Sequence, residues 1–247
     1  YNVTLANRYS GYTAEPNQWE VFLSCWYAAY QLHYQALLLE TPDYPYMPII
    51  GKYGLESAKQ RPVGNIVEAI GKLELSLGTS LPQSYKDFLL AYQPPALEPW
   101  PVSWGMAKIG LYAPDQVGRA SVLEPESVDI YEYAARQLEF WEVDTSLELG
   151  ATDSSDERYF VYGTEQDSTN VRISYLRDAL VVGKYSDDNF ALILLYPQVR
   201  MADGEMEAAL VYHTGQFRAP SFAELMRQLS FLETQDIDYV PPYSQEL

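Results

Sequence analysis

From Asn65 to Tyr92 the chain reads N-I-V-E-A-I-G-K-L-E-L-S-L-G-T-S-L-P-Q-S-Y-K-D-F-L-L-A-Y. Ile66, Ile70, Leu73 and Leu77 recur on one face at helical spacing. Asn65 is an N-cap residue, and Glu68 three positions on completes a capping box. Glu68 and Lys72, four apart, pair on the outer face. Gly78 suits the left-handed position that ends a helix. A second helix opens at Pro82, whose missing N–H would be unpaired in a first turn anyway. Tyr85, Phe88, Leu89 and Tyr92 form its inner stripe, and Pro94-Pro95 forbids continuation. The pattern predicts a helical hairpin with an apolar inner side.

Before this hairpin, residues 1–16 read as irregular, and Asn17 to Glu40 as a helix. Trp19, Phe22, Leu23, Trp26, Tyr30, His33, Tyr34 and Leu37 share one face of it; Glu20, Ser24, Gln31 and Gln35 lie opposite. Val21 to Leu39 carries no Asp, Glu, Lys or Arg and is long enough for a bilayer. The polar stripe argues against a span and for a helix laid over the main domain. Residues 41–64, with Pro42, Pro45, Pro48, Gly51, Gly54, Pro62 and Gly64, read as a connector.

After the hairpin, strands are expected at Met106 to Tyr112, Arg158 to Tyr162, Val171 to Tyr175, Ala179 to Gly183, Phe190 to Tyr196 and Met206 to Tyr212. Glu126 to Trp141 reads as a helix with Ile130, Tyr133, Ala134, Gln137, Leu138 and Trp141 inward. The short connections Lys184 to Asn189 and Pro197 to Glu205 imply antiparallel pairing. Ser221 to Glu224 is a capping box that opens a last helix ending near Leu232. The fold expected is α+β: an antiparallel sheet covered by helices, with a helical N-terminal addition.

The order L-x-x-x-L-G-x-x-L-P-x-S-Y-K-D-F-L-L, carried by Leu73, Leu77, Gly78, Leu81, Pro82, Ser84, Tyr85, Phe88 and Leu89, resembles the opening signature of the SUKH superfamily. The later run L-V-V-G, D-D-N-F-A-L-I-L-L, G-E-M-E and S-F-A-E-L resembles the end of such a domain. One departure stands out: Gln93-Pro94-Pro95-Ala96 replaces the Asn-Gly-Gly that often follows the hairpin. The resemblance divides the chain into an N-terminal helix and connector (1–62), a SUKH-like domain (63–233) and a tail (234–247). It implies an immunity protein that neutralises a cognate bacterial toxin by stoichiometric binding. The family's fungal members imply the alternative of a scaffold or regulatory interaction module.

Charge sharpens the partner. The net charge is −18. Between Glu124 and Asp167, thirteen Asp and Glu face only Arg136 and Arg158, so −11 falls within 44 residues. Such a surface repels nucleic acid and anionic membranes and attracts basic proteins. Glu124, Glu126, Asp129, Glu132, Asp153, Asp156 and Glu157, joined by Asp187 and Asp188, are the expected toxin-facing carboxylates. Trp100 and Trp104 are aromatic anchors on that reading and core residues on the plainer one. A solvated charged face is likewise the plainer account of the acidic stretch.

Little in the chain speaks for catalysis. The histidines are His33 and His213 alone. Cys25 and His33, eight positions apart on one helix, lie roughly 12 Å apart along its axis, too far to touch. No G-x-S-x-G, P-loop or G-x-G-x-x-G occurs. Asp153, Asp156 and Glu157, and Asp187 with Asp188, lack calcium-loop spacing. No catalytic residue, metal or cofactor is expected. The single cysteine excludes an internal disulfide and points to a reducing, cytoplasmic setting. Asn2-Val3-Thr4 matches a glycosylation sequon, a triplet common by chance. The chain starts at Tyr1 without an initiating Met, so a preceding or removed segment is expected.

Overall fold

The computed structural model describes residues 4–5, 10–40, 65–92, 109–129, 155–185, 191–212 and 215–235. In chain order these form β1 (Thr4–Leu5), α1 (Pro16–Glu40), α2 (Ile66–Leu77), α3 (Gln83–Ala91), β2 (Ile109–Leu111), β3 (Gly118–Arg119), α4 (Ala120–Leu123), α5 (Asp156–Tyr159), α6 (Ile173–Leu176), β4 (Leu180–Tyr185), β5 (Leu192–Arg200), β6 (Met206–Tyr212), β7 (Gly215–Ala219) and α7 (Phe222–Gln235). The α+β class expected from the sequence is the one observed.

Among the described residues the sheet has seven strands, with β2-β4-β5-β6-β7 as its main path. All pairs are antiparallel except β1, which lies parallel to the far end of β5 through Thr4↔Val199 and Leu5↔Arg200. The supposedly irregular N-terminus therefore contributes a strand. β5 also runs four residues further than expected, to Arg200, passing Pro197 at a register shift between Tyr196 and Arg200. Proline is tolerated there because a bulge frees its position from the ladder.

The hairpin forms as read, except that the capping box is half made: the Glu68 carboxylate accepts from the Asn65 side-chain amide at 3.4 Å and not from its backbone N–H. The Asn65 side chain accepts from the Glu68 N–H at 3.3 Å, and Gly78 takes φ 64° at the end of α2. Ile70, Leu73 and Leu77 are buried, as are Tyr85, Phe88, Leu89 and Tyr92 of the second helix. In α1, Trp19, Leu23 and Trp26 are buried while Glu20 and Ser24 are exposed. α1 packs on α3 and α7 through an aromatic cluster: Trp19–Phe88 at 5.4 Å, Phe88–Phe222 at 5.2 Å and Tyr85–Phe222 at 4.9 Å between ring centres. Offset and edge-on pairs of this kind add to the burial energy of the rings. Among the described residues no helix is long and apolar enough to cross a membrane.

Two expected strands are corrected. Asp156–Tyr159 and Ile173–Leu176 are single helical turns, not the strands read at Arg158 to Tyr162 and Val171 to Tyr175. A strand facing one core buries every second residue. Here the neighbours Tyr159 and Phe160 are both buried, as are Arg172 and Ile173. A strand that was not expected, β7, forms at Gly215–Ala219 instead. The helix expected over Glu126 to Trp141 is helical at 125–129, and the remainder lies outside the described residues.

Cα partners across a ladder share a face. Leu192, Leu194 and Tyr196 of β5 therefore line up with Val211, Ala209 and Glu207 of β6, and these with Gln216 and Arg218 of β7. That face is covered by residues 155–176. The opposite face, carrying Ile193, Leu195, Ala208, Leu210, Phe217 and Ala219, is left to α7, which packs on β6 and β7.

Candidate functional site

The acidic stretch is less free than its composition suggests. Glu124 is half-buried and pairs with Lys184 at 2.6 Å; its side chain retains 18% of its exposure. Asp129 meets Arg177 at 3.1 Å, both exposed. Asp156 pairs with the buried guanidinium of Arg172, and Asp167 lies 3.8 Å from Arg158. Glu126, Glu157 and Glu165 are exposed and form no ion pair among the described residues. Glu132, Asp153, Asp187, Asp188, Trp100 and Trp104 lie outside the described residues. The structure thus puts Asp156, Glu157, Glu165 and Asp167 on the segment 155–176, and Glu124, Glu126 and Asp129 on another.

Beneath the 155–176 segment sits a polar cluster for which no role was read in the sequence. Glu207 is fully buried and accepts from the Tyr159 hydroxyl at 2.5 Å and the Tyr162 hydroxyl at 2.6 Å. Arg218, also fully buried, lies 3.9 Å from Glu207 and donates to the Tyr159 carbonyl. Its guanidinium sits 4.1 Å from the centre of the Tyr159 ring, and that of Arg172 sits 4.5 Å from the same ring. Arg172 also reaches the Tyr175 hydroxyl at 2.8 Å. Burial pushes the Glu207 carboxyl up, opposed by Arg218 and the two tyrosine hydroxyls. Burial beside Glu207 likewise raises Tyr159. Buried charges persist only when paired and hydrogen-bonded, and this cluster meets that condition for Glu207. A sequence signal existed for Glu207: it is the one charged residue in the otherwise uncharged strand Met206–Tyr212.

The edge of the sheet is closed by the same segment. β7 is the last strand, and its outward N–H and C=O groups take partners from residues 166–168. The Gln166 side chain accepts from Arg218 N–H at 2.7 Å and donates to the Arg218 carbonyl at 3.0 Å, as a neighbouring peptide group would. Gln216 N–H donates to the Ser168 carbonyl at 2.9 Å. Gln216 further accepts from the Tyr196 hydroxyl and donates to the Asn170 carbonyl.

A second polar link fixes the hairpin. α3 has no side-chain cap from Pro82; instead the buried Glu205 carboxylate, from the β5–β6 turn, accepts from Ser84 N–H at 2.9 Å and Ser84 Oγ at 2.5 Å. A carboxylate suits a helix N-terminus. Burial nevertheless pushes Glu205 up, offset by the Ser84 bonds. Tyr12 donates to Asp87 at 3.0 Å and accepts from the Trp19 indole at 2.9 Å, while Ser10 donates to Asp203. The signature residues Leu81, Pro82, Ser84, Tyr85, Phe88 and Leu89 are all buried, so they serve the fold and not a surface.

Among the described residues no group of three or more His, Cys, Asp or Glu is placed to hold a metal ion. Cys25 is exposed on α1. No family model, curated protein or solved structure matches the chain.

Proposed function

We propose that this chain is an immunity protein of the kind its SUKH-like pattern implies. It binds a cognate protein toxin, a basic effector such as a nuclease, one to one in the cytoplasm and takes no cofactor. The observation that carries this reading is the local acid surplus of −11 in 44 residues, with Glu126, Glu157 and Glu165 exposed and outside the ion pairs described above. Long-range attraction between oppositely charged surfaces acts mainly on the association rate and is screened by salt. The buried cluster under residues 155–176 supports the same reading, because a fixed backbone presents carboxylates at constant spacing. The partner is found by affinity capture from the native cells with mass spectrometry, followed by stopped-flow association at several ionic strengths. A basic toxin should be captured. Glu126→Lys, Glu157→Lys and Glu165→Lys together should slow association and flatten its salt dependence. Wild-type association rates at every salt concentration, or capture of no toxin, would defeat the proposal.

A further inference from the structure

We propose that the buried guanidinium of Arg218 holds a halide ion, chloride in the cell, within the polar cluster between the sheet and residues 155–176. Arg218 is wholly buried, yet its Nε and Nη2 have no hydrogen-bond partner. Nε–H and one Nη2–H stand side by side on one edge of the planar guanidinium, the edge that takes an anion through two parallel bonds. Native proteins leave few buried donors unpaired, and a bound ion is one of the accounts such a group calls for.

The acceptors around Arg218 are already engaged. Its Nη1 donates to the Tyr159 carbonyl. Glu207 comes nearest at that same Nη1, 3.9 Å away and beyond hydrogen-bond reach. The two Glu207 oxygens accept instead from the Tyr159 and Tyr162 hydroxyls. The Tyr159 ring, 4.1 Å from the guanidinium carbon, attracts the charge as a whole and offers no oxygen lone pair to either N–H. Gln216, the next residue on this face of β7, uses its amide on the Tyr196 hydroxyl and the Asn170 carbonyl. Ala209, opposite Arg218 across the ladder, has no polar side-chain atom.

Charge decides the class of ligand. The Arg218 and Arg172 side chains are 0% and 8% exposed, and both guanidiniums lie against the Tyr159 ring. One carboxylate, Glu207, is buried with them; the other, Asp156, meets Arg172 from the surface with its side chain 67% exposed. The interior of the cluster thus carries one more positive than negative charge. At low dielectric that excess favours an anion over a neutral water. Size narrows the class further. Tyr159, Tyr196 and Gln216 are buried together with Arg218, so a monatomic anion suits an edge where a phosphate would force the sheet apart. This inference is independent of the toxin-binding reading.

The test uses the full chain. Its melting temperature is followed as chloride replaces gluconate at constant ionic strength, so that screening stays fixed. A ligand of the native state alone stabilises with the logarithm of its concentration. Melting should therefore rise by roughly 3–5 °C for each tenfold in chloride above half-saturation. Crystals grown with sodium bromide should show an anomalous peak within bonding distance of both Arg218 Nε and Nη2. Arg218→Lys keeps the charge and removes the two-donor edge; Glu207→Met combined with Arg218→Met removes both charges. Each variant should lose the chloride response. A wild-type melting temperature indifferent to chloride would overturn the inference, even beside a bromide peak, because that means binding at crystal concentration only. A response kept by either folded variant would overturn it too, by putting the anion elsewhere. So would an ordered water at this edge in place of bromide. The wild-type melts and peak decide the matter even if neither variant folds.

Discussion

The two faces of the central sheet are held by different physics. Under α3 and α7 the contacts are apolar and aromatic, with Phe88 and Phe222 wholly buried. Under residues 155–176 the contacts are tyrosine hydroxyls, two guanidiniums and one carboxylate, again with Glu207 and Arg218 wholly buried. Area removed from water stabilises the first face whatever the detailed geometry, at about 25 cal/mol per Å². The second face depends on specific polar partners. Glu207 has its two tyrosine hydroxyls, while Arg218 Nε and Nη2 are buried without a hydrogen bond, the guanidinium facing the Tyr159 ring and the Glu207 charge instead. An unpaired buried group costs about 1–3 kcal/mol. An apolar face tolerates imprecision; a buried polar face fixes one arrangement or fails.

That contrast can be broken at either side. The largest effect is expected at Phe88. Phe88→Ala should cost about 3–5 kcal/mol, as large-to-small changes in packed cores do. A loss under about 1 kcal/mol in denaturant melts would place Phe88 outside a packed core.

Glu207→Ala should cost nearly as much, about 3–5 kcal/mol, because it leaves Arg218 buried without its carboxylate. Replacing both Glu207 and Arg218 by Met should recover most of that loss, or exceed the wild type by about 1–4 kcal/mol. If the double variant is as unstable as the single, the cluster is held by its hydrogen bonds to the backbone and not by the charge pair. Equilibrium urea unfolding of the three proteins decides between them.

A smaller effect is expected at the hairpin link. Ser84→Ala removes a donor from the buried Glu205 carboxylate and should cost about 1–3 kcal/mol. Thermal melts that coincide with the wild type would show that the Ser84 N–H alone suffices as partner.

The pH dependence sharpens the comparison further. The Glu207 carboxyl is raised in the folded protein. The native state therefore binds a proton more readily than the unfolded chain above the ordinary glutamate value of about 4.3. Stability contributed by this group is present below that value and is lost as pH rises through the folded value. Glu207→Gln should accordingly flatten the fall in melting temperature with rising pH. An unchanged slope would mean that Glu205 or the general acid excess sets it.

The smallest effect belongs to the exposed carboxylates. Reversing Glu157 and Glu165 should change stability by no more than about 0.5 kcal/mol, because exposed charges are well solvated. A larger loss by calorimetry would show that these side chains hold residues 155–176 in place.

The helical hairpin, its caps, the amphipathic first helix, the strands β4 to β6 and the last helix were legible in the sequence. Each rests on a local rule: apolar spacing at the helical or strand period, a cap residue, a glycine at a helix end. Even the Ser221 cap is as read, with the Glu224 N–H bonded to the Ser221 hydroxyl at 3.1 Å. The acid surplus between Glu124 and Asp167 was legible too, as composition.

What the sequence could not decide was which charges stay free and which are consumed. Glu124 is taken by Lys184, sixty positions away, and Asp156 by Arg172 across a turn. Arg-Tyr-Phe-Val-Tyr at 158–162 and Val-Arg-Ile-Ser-Tyr at 171–175 have the composition of strands, yet both lie in the segment that crosses the sheet's polar face. Conversely Gly-Gln-Phe-Arg-Ala at 215–219 has the composition of a turn and forms the edge strand, because Gln166 and Ser168 complete its pairing from some fifty residues earlier. Local propensity is weak for such segments, and long-range hydrogen bonds outweigh it. Charge and periodicity are properties of the chain; pairing and burial are properties of the fold, because they depend on which distant residue arrives.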